Sequence, residues 1–295
     1  MSTKNLNLPA NSYIPQYHRT FGTVFNHEVA FRNAFQPVQI LDGIKQNAIA
    51  FTVKTSDTPV VIRAYDKGEN VGMGTGTAKS SRFGDITEVK YTDTDVLYDD
   101  ELTSNDGFDV TTVNEDLDAA VASRFIAISQ EQTHQSNITN GEYISTVAGE
   151  AKTLDDLTEE NVLALFNAID AYYTDNAVIA PVTAYLRSDL YNAVVDHPLV
   201  VREKGSTVDI DGNKVIEFKD FRIAKEPAAY FKDDDVAYFV PDQALIAFVG
   251  IVMARVVEPT DYAGKLLQTL SKAGRFILDD NKKAVVKVTM AAVGG

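Results

Sequence analysis

Short apolar runs rich in β-branched and aromatic residues occupy residues 48–53, 60–65 and 86–91, and this composition is typical of β-strands. Between the second and third runs lies a stretch with glycines at positions 68, 72, 74 and 76. The order of strand, glycine-rich stretch and strand predicts an extended β-loop with a mobile tip.

A helical repeat replaces this pattern in the middle of the chain. Leu117, Val121 and Ile128 recur at helical spacing, and a capping box at residues 112–115 precedes them. The pattern predicts one long helix over residues 113–147. Gly141 predicts a bend in this helix and Gly149 predicts its end. Glu131 and Gln132 are predicted to lie on its exposed face.

A second capping box, from Thr153 to Asp156, predicts another helix. One apolar face follows it at helical spacing: Val162, Leu165, Phe166, Ile169 and Tyr172. Beyond this helix the pattern predicts a short helix over residues 189–195, ended by Pro198, and a hairpin over residues 208–218. Further strands are predicted at residues 178–186, 221–223, 236–240, 245–255, 265–270, 275–278 and 284–289.

The order of elements is strands, a long helix, a mixed region and strands again. This order lacks the regular β-α-β alternation of parallel α/β folds, so we predict an α+β fold. The dipeptide Asp106-Gly107 is a turn signal between the first strands and the long helix.

The first 35 residues combine prolines with an unusual number of aromatic side chains. Polar flexible tails seldom carry so many aromatics, so we expect an arm that packs against another surface. A neighbouring subunit and the chain's own domain are equally suitable surfaces. The candidate interface residues in the arm are Tyr13, Tyr17, Phe21 and Phe25.

The charge balance restricts the partners. Lys and Arg total 27 against 42 Asp and Glu, which gives a formal net charge of -15. Such a surface repels phosphate, so direct binding to nucleic acid or to an anionic membrane is disfavoured, although solubility alone would also explain the excess of acid. There are no cysteines, which excludes disulfides and thiolate chemistry. The longest apolar stretch, residues 244–257, is interrupted by Gly250 and Arg255 and is too short for a membrane span.

Candidate chemical motifs fail on their spacing. Residues 72–80 resemble a phosphate-binding loop, but Met73 and Ala78 stand where that loop requires glycine. The acidic spacing at residues 209–213 resembles a calcium loop, but Lys214 and Asp220 occupy its essential glycine and glutamate positions. We therefore expect a flexible loop and a hairpin turn, respectively.

The remaining candidate groups are isolated. Residues 233–235 are three consecutive aspartates, which we expect in a solvated loop. Four histidines lie outside any catalytic or metal-binding motif, so we expect them at surfaces or interfaces: His18, His27, His134 and His197. The sequence thus predicts no enzyme activity, no cofactor and no metal; a hydrolase or small-molecule binder with an unrecognised site is the alternative from another class.

The C-terminal half resembles the major capsid proteins of tailed bacteriophages with the HK97-type fold. Residues 157–166 resemble the first helix of their axial domain, and residues 183–194 resemble their strand followed by a short helix. Residues 250–255, 264–268 and 274–278, together with the last strand, resemble the segments by which the family's chain passes from the axial domain back into the peripheral domain. The arm, the extended loop and the long helix come in the family's order.

This resemblance implies a domain organisation. An N-terminal arm would cover residues 1–35 and an extended loop residues 51–87, in which Lys67, Lys79 and Arg82 are further interface candidates. An axial domain would cover residues 153–255. The peripheral domain, with the long spine helix, would combine residues 36–50, 88–152 and 256–295.

The resemblance also implies a function and partners. The chain would assemble with itself, as pentamers and hexamers, into an icosahedral shell around double-stranded DNA that it does not bind specifically. We expect a separate scaffolding protein, because the chain has no room for a scaffold-like segment, and a portal, but no membrane partner. The location would be the virion capsid, assembled in the host cytoplasm. An encapsulin-type compartment shell, which encloses cargo proteins, is the alternative.

Overall fold

The computed structural model describes residues 28–36, 39–40, 50–56, 58, 60–62, 87–110, 117–201, 206–209, 214–249, 253–261 and 263–291. The strands in this part of the chain are β1 (Gln39–Ile40), β2 (Ala50–Thr55), β3 (Thr92–Leu97), β4 (Asp100–Asp109), β5 (Glu150–Leu154), β6 (Val182–Arg187), β7 (Ser206–Asp209), β8 (Lys214–Phe218), β9 (Phe221–Glu226), β10 (Asp235–Pro241), β11 (Leu245–Val249), β12 (Met253–Val257), β13 (Gly264–Ile277) and β14 (Val286–Met290). The α-helices are α1 (Leu117–Val147), α2 (Glu159–Asp175), α3 (Ser188–Val195), α4 (Pro198–Val201) and α5 (Asp279–Lys282). A 3₁₀ turn covers Ala228–Tyr230.

The larger sheet has the strand order β5-β14-β10-β6-β9-β8-β7 among the described residues. Its central strand β10 pairs antiparallel with both β6 and β14, and every residue of β10 is buried. A strand covered on both faces needs a continuous apolar run, and the sequence supplies one from Val236 to Val240. The predicted hairpin is confirmed, because β7 and β8 pair antiparallel.

The smaller sheet is organised by the 14-residue strand β13. One edge of β13 pairs with β4 from Gly264 opposite Asp109 to Ala273 opposite Asp100, and its other edge pairs with β11 and β12. The predicted turn at Asp106-Gly107 is wrong. These two residues lie inside β4, because the long partner strand gives their backbone groups hydrogen-bonding partners that a local turn signal does not register.

The principal core lies between helix α2 and the larger sheet. Phe166 of α2 contacts the rings of Phe218, Phe221 and Phe239 with centroid separations of 4.9–5.9 Å and edge-on geometry. Edge-to-face packing of this kind adds to the free energy gained from burial. The predicted apolar face of this helix is confirmed except at its end, where Tyr173 is buried and the neighbouring tyrosine is only partly covered.

Helix α1 is confirmed from Leu117 to Val147 and is continuous through Gly141. Its predicted capping box at residues 112–115 lies outside the described residues. The exposed position of Glu131 is confirmed, but that of Gln132 is wrong: this side chain is half-buried and donates a hydrogen bond to Thr269 Oγ1 at 3.3 Å. The helix crosses β13 here, which a periodicity argument on one helix does not reveal.

Several element boundaries differ from the predictions. Thr153 lies in β5, whose parallel pairing with β14 extends the strand to Leu154, so the second capping box does not form. Helix α2 begins at Glu159, after Asp156 has accepted hydrogen bonds from both the backbone N–H and the hydroxyl of Thr158. The buried strand predicted from residue 178 begins at Val182. The short helix α3 ends at Val195, before Pro198, as predicted. Pro198 is also the first residue of the next helix, α4.

The strands predicted at residues 60–65 and 86–91 do not form in their described parts. The antiparallel pair in this region is instead formed by β2 and β3. The predicted domain boundaries stay a prediction. Within the described residues, the last strand β14 lies in the larger sheet between β5 and β10, while β13 lies in the smaller one.

Candidate interaction surfaces

The seven interface residues chosen from the sequence all lie outside the described residues: Tyr13, Tyr17, Phe21, Phe25, Lys67, Lys79 and Arg82. Their role as contacts between subunits therefore stays a prediction. The phosphate-loop-like segment at residues 72–80 lies outside the described residues as well. The surfaces that follow are built from neighbouring residues.

Strands β2 and β3 form a two-stranded ribbon, paired antiparallel from Ala50 opposite Leu97 to Thr55 opposite Thr92. Beyond the ladder the two legs stay together through side chains. The Ser56 hydroxyl donates to the Lys90 carbonyl at 2.8 Å, and the Lys90 N–H donates to Thr58 Oγ1 at 2.9 Å. The ribbon therefore keeps its two-stranded form after the strands end.

The far part of the ribbon carries large apolar side chains in solvent. Val60 and Ile62 are each 89% exposed and Tyr91 is 69% exposed. Single exposed apolar residues are ordinary, but a group of them on a thin ribbon forms an apolar patch of the kind that is common at interaction sites. Burying one such aliphatic side chain contributes about 1.5–3 kcal/mol.

Residues 28–36, here called the anchor segment, attach the N-terminal region to the body. Phe31 is fully buried, and its ring centroid lies 5.1 Å from that of Tyr185, 6.0 Å from Tyr238 and 6.3 Å from Phe231. Its backbone φ of 56° is in the left-handed region, which a bulky residue rarely adopts. The aromatic cluster therefore compensates for a strained backbone.

Hydrogen bonds from several elements fix the backbone of the anchor segment. The Ala30 N–H donates to Asn137 Oδ1 on α1 at 3.0 Å, and the Ala34 N–H donates to the Tyr185 hydroxyl on β6 at 2.9 Å. The Phe31 N–H donates to Glu226 Oε1 on β9 at 3.3 Å. The segment then runs beside β11, where the Gln36 N–H donates to the Leu245 carbonyl at 2.8 Å.

A buried arginine joins the smaller sheet to helix α1. The Arg275 guanidinium bonds Asp99 Oδ1 at 2.6 Å and Asp100 Oδ2 at 3.2 Å, and its Nε donates to Asn140 Oδ1. Desolvation raises the pKa of the Asp99 carboxyl, and the arginine charge opposes that increase. The three elements β4, β13 and α1 are thus held at one point, and the base of the ribbon lies next to it.

A groove of about 630 Å³ opens between the anchor segment, α1 and the smaller sheet. Its walls include Val29 and Phe35 from the anchor segment, Gln132 from α1 and Lys272 from β13. The ammonium of Lys272 is paired with Glu101 at 3.1 Å. The lining of the groove is mixed, because apolar and amide side chains alternate with charged ones such as Arg32 and Asp242.

Two expectations about isolated polar groups are wrong. His197 is 4% exposed and packs against the Phe218 ring at 5.6 Å, so it is a core residue. Asp235 is also buried, because it begins the central strand β10 and its carboxylate accepts a hydrogen bond from the Tyr238 hydroxyl at 2.9 Å. The other two aspartates of that run are exposed as expected.

Within the described parts of the chain, no cluster of three or more His, Cys, Asp or Glu side chains could hold a metal ion. Nor does any helix there have the length and apolarity to cross a membrane.

No protein-family model matches this chain, and no curated protein matches it. Solved structures do match. The capsid of the cyanophage P-SCSP1u aligns with a TM-score of 0.69 at 12% identity, over 99% of both chains. The mature capsid of bacteriophage PhiM1 aligns with a TM-score of 0.65 at 10% identity, over 97% of this chain and 96% of that one. The capsid of the native GTA particle aligns with a TM-score of 0.59 at 10% identity, over 99% of this chain and 100% of that one.

The chain has the HK97-type capsid fold. The α+β class and the resemblance inferred from the sequence are thereby confirmed. In this fold α1 is the spine helix and the ribbon of β2 and β3 is the stem of the extended loop.

The HK97-type fold of this chain also contains residues that sequence reasoning missed. The anchor residue Phe31 lies in the predicted arm, but it looked no different from the other aromatics there. A lone arginine in a strand pattern, such as Arg275, gives no sign that its partners lie about 175 residues earlier. Neither contact leaves a local sequence signal.

Proposed function

We propose that this chain is the shell-forming subunit of a tailed-phage capsid, assembling as pentamers and hexamers into a closed icosahedral shell around double-stranded DNA. The observation that carries the proposal is coverage: capsid structures from a cyanophage and from phage PhiM1 match at least 97% of this chain. A protein that contained a capsid-like domain as one part of a different architecture would match these capsid structures over only part of its length.

The ribbon supports the same proposal. Its exposed apolar side chains, Val60 and Ile62 among them, lie beyond the chain's own core, as expected of a clasp between neighbouring subunits. Many weak clasps, repeated around a closed shell, give high combined affinity through effective concentration. A closed shell of pentamers and hexamers requires one chain to fill many quasi-equivalent positions.

The proposed partners follow from charge and composition. A net charge of -15 keeps packaged DNA from adhering to the shell, so the contact with the genome is non-specific. A separate scaffolding protein and a portal would direct assembly in the host cytoplasm, and the finished location is the virion capsid. The role is structural and involves no catalysis or cofactor.

The test is sedimentation velocity of the purified chain over a range of concentrations, alone and with its scaffolding protein, followed by nuclease treatment of the particles. We expect large closed particles, with nuclease-resistant DNA in particles recovered from infected cells. Particles that contain a co-purifying protein other than the scaffolding protein, and no protected DNA, would favour the compartment-shell alternative. A monomer under every condition would refute a shell function of either kind.

A further inference from the structure

The ribbon of β2 and β3 joins the smaller sheet through a short joint. Strand β3 ends at Leu97 and β4 begins at Asp100, so Asp99 is the last residue before the sheet. Among the described residues, β2 and β3 pair only with each other. A contact at this joint can therefore control the direction in which the ribbon leaves the body.

Two bonds connect Asp99 to strand β13. Its backbone N–H donates to the Ala273 carbonyl at 3.1 Å, and its Oδ1 accepts from the Arg275 guanidinium at 2.6 Å. The second bond joins two opposite charges and is the stronger kind. A residue held by both its backbone and its side chain has fewer accessible conformations than one held by its backbone alone. The joint is thus fixed in direction as well as in position.

The guanidinium that holds Asp99 is fixed by its other partners. The Arg275 side chain is 2% exposed, and its Nη2 bonds Asp100 Oδ2 at 3.2 Å. The same Nη2 donates to the Ser136 carbonyl at 3.3 Å and to the Ser136 hydroxyl at 3.2 Å, and Nε donates to Asn140 Oδ1. Ser136 and Asn140 lie one turn apart on α1. The rigid fork of the arginine therefore refers the joint to the spine helix.

Asp99 and Asp100 differ in how much the fold depends on them. The Asp100 side chain is 6% exposed, whereas that of Asp99 is 36% exposed. If Asp99 were removed, Arg275 would still be paired with the buried carboxylate of Asp100. A partly exposed ion pair contributes little to stability, so the bond from Asp99 acts chiefly on the geometry of the joint.

The ribbon acts as a lever on this joint. Thr92, at the far end of β3, lies seven residues from Asp99, which is roughly 23 Å of extended chain. A rotation of about 20° at the joint would move that end by roughly 8 Å, which is more than a side-chain contact can tolerate. The exposed Val60 and Ile62 lie beyond the end of the ladder. Their position therefore depends strongly on the joint.

We propose that Asp99 is a positioning residue for the ribbon: its bond to Arg275 fixes the direction of the ribbon relative to α1, and this direction brings Val60 and Ile62 onto the neighbouring subunit. The effect on direction belongs to the isolated subunit. The effect on assembly rests on the proposed shell function.

The experiment measures the distance between the ribbon and the spine helix. Because the chain has no cysteine, Thr92→Cys on the ribbon and Glu131→Cys on α1, both at exposed positions, introduce two unique sites for spin labels. Double electron–electron resonance on the isolated full chain then gives the distribution of the label distance. We expect one narrow population in this reference chain. Adding Asp99→Ala should broaden it by several ångströms, while the midpoint of urea unfolding stays at the reference value.

The matched control is Asp106→Ala, which breaks the partly exposed pair with Arg124 on the same strand β4. It should leave both the distance distribution and the unfolding midpoint at the reference values. A distribution that stays narrow in Asp99→Ala, or that broadens equally in the control, would overturn the proposal. A larger loss of stability in Asp99→Ala than in the control would also overturn it, since the residue would then serve the fold and not the direction of the ribbon.

The consequence for assembly is read from the unlabelled chains with the scaffolding protein. Asp99→Ala should lose most of the closed particles that the wild type and Asp106→Ala form. Normal shells from a variant with a broadened distance distribution would overturn the assembly part of the proposal. A wild-type chain that forms no shells would refute the proposed function alone, because the distances are measured on the isolated subunit.

Discussion

Gly141 of helix α1 lies directly against the backbone carbonyl of Tyr230. A Cβ atom built on Gly141 would stand 1.7 Å from that carbonyl oxygen, far inside van der Waals contact. The glycine therefore permits the spine helix and the 3₁₀ turn before β10 to pack backbone to backbone. The bend that its sequence position suggested is not its role, because the helix runs through it.

The first prediction is that Gly141→Ala destabilises the subunit by at least about 2 kcal/mol, because a backbone carbonyl has no flexible end that could move aside. The measurement is urea unfolding of the soluble subunit. Glu142→Ala, at the exposed neighbouring position, is the control and should change the free energy of unfolding by less than about 0.5 kcal/mol. Equal effects at the two positions would show that α1 and the 3₁₀ turn are not in contact.

The second prediction concerns the buried arginine. Arg275→Met removes the partner of the 6%-exposed Asp100 and should cost about 3 to 5 kcal/mol of unfolding free energy. Adding Asp100→Asn to that variant should restore part of the loss, since it removes the uncompensated charge. The coupling is read from the double-mutant cycle.

The control for this cycle is Arg124→Met, which breaks the partly exposed pair with Asp106. A solvent-screened pair of this kind contributes no more than about 1 kcal/mol. If Arg275→Met cost no more than this control, the arginine would not be the link between the sheet and the spine helix.

The third prediction tests the apolar face of the spine helix. Val121, 8% exposed, packs in a small cluster with Ile128 and Leu267, so Val121→Asp should cost about 3 kcal/mol or more by burying an unpaired carboxyl. Leu117→Asp should cost less, because that residue is only half-buried. Glu131→Ala, on the exposed face, should cost under about 0.5 kcal/mol. Small, equal losses at all three positions in denaturant melting would contradict this packing.

The fourth prediction separates folding from assembly. Ile62→Asp places a charge on a side chain that is 89% exposed, so the midpoint of denaturant unfolding should not change. Assembly should fail, because the charge would have to be buried between subunits. Asn167→Asp, which adds the same charge on the exposed face of α2, is the matched control and should assemble normally. If the Ile62→Asp variant formed particles that sediment like those of the wild type, the ribbon would not be part of the interface between subunits.

The sequence predicts those elements whose pattern is local. The spine helix and the apolar face of α2 repeat at helical spacing over many residues, and β10 is a continuous apolar run, so each could be recognised alone. The error at Asp106-Gly107 arose because a ten-residue ladder with a strand more than 150 residues later outweighs a local turn preference. The same long-range pairing with β14 kept Thr153 in a strand instead of a capping box.

The contacts of the anchor segment could not have been predicted for a related reason. Phe31 is held by residues of β6, β10 and the loop between β9 and β10, and its φ of 56° contradicts the preference of a bulky residue. The partners Asn137 and Glu226 carry no motif. Only the folded arrangement makes them a site. The exposed residues Val60 and Ile62 were not anticipated either, because their apolar run predicted a strand that does not form in its described part.

The measurement that tests the central claim most directly is negative-stain electron microscopy of the purified chain, assembled with its scaffolding protein. A shell subunit should produce closed, hollow particles of uniform diameter with icosahedral outline, and Ile62→Asp should not. Dispersed monomers or small open oligomers from the wild-type chain under all assembly conditions would contradict a capsid function, despite the HK97-type fold.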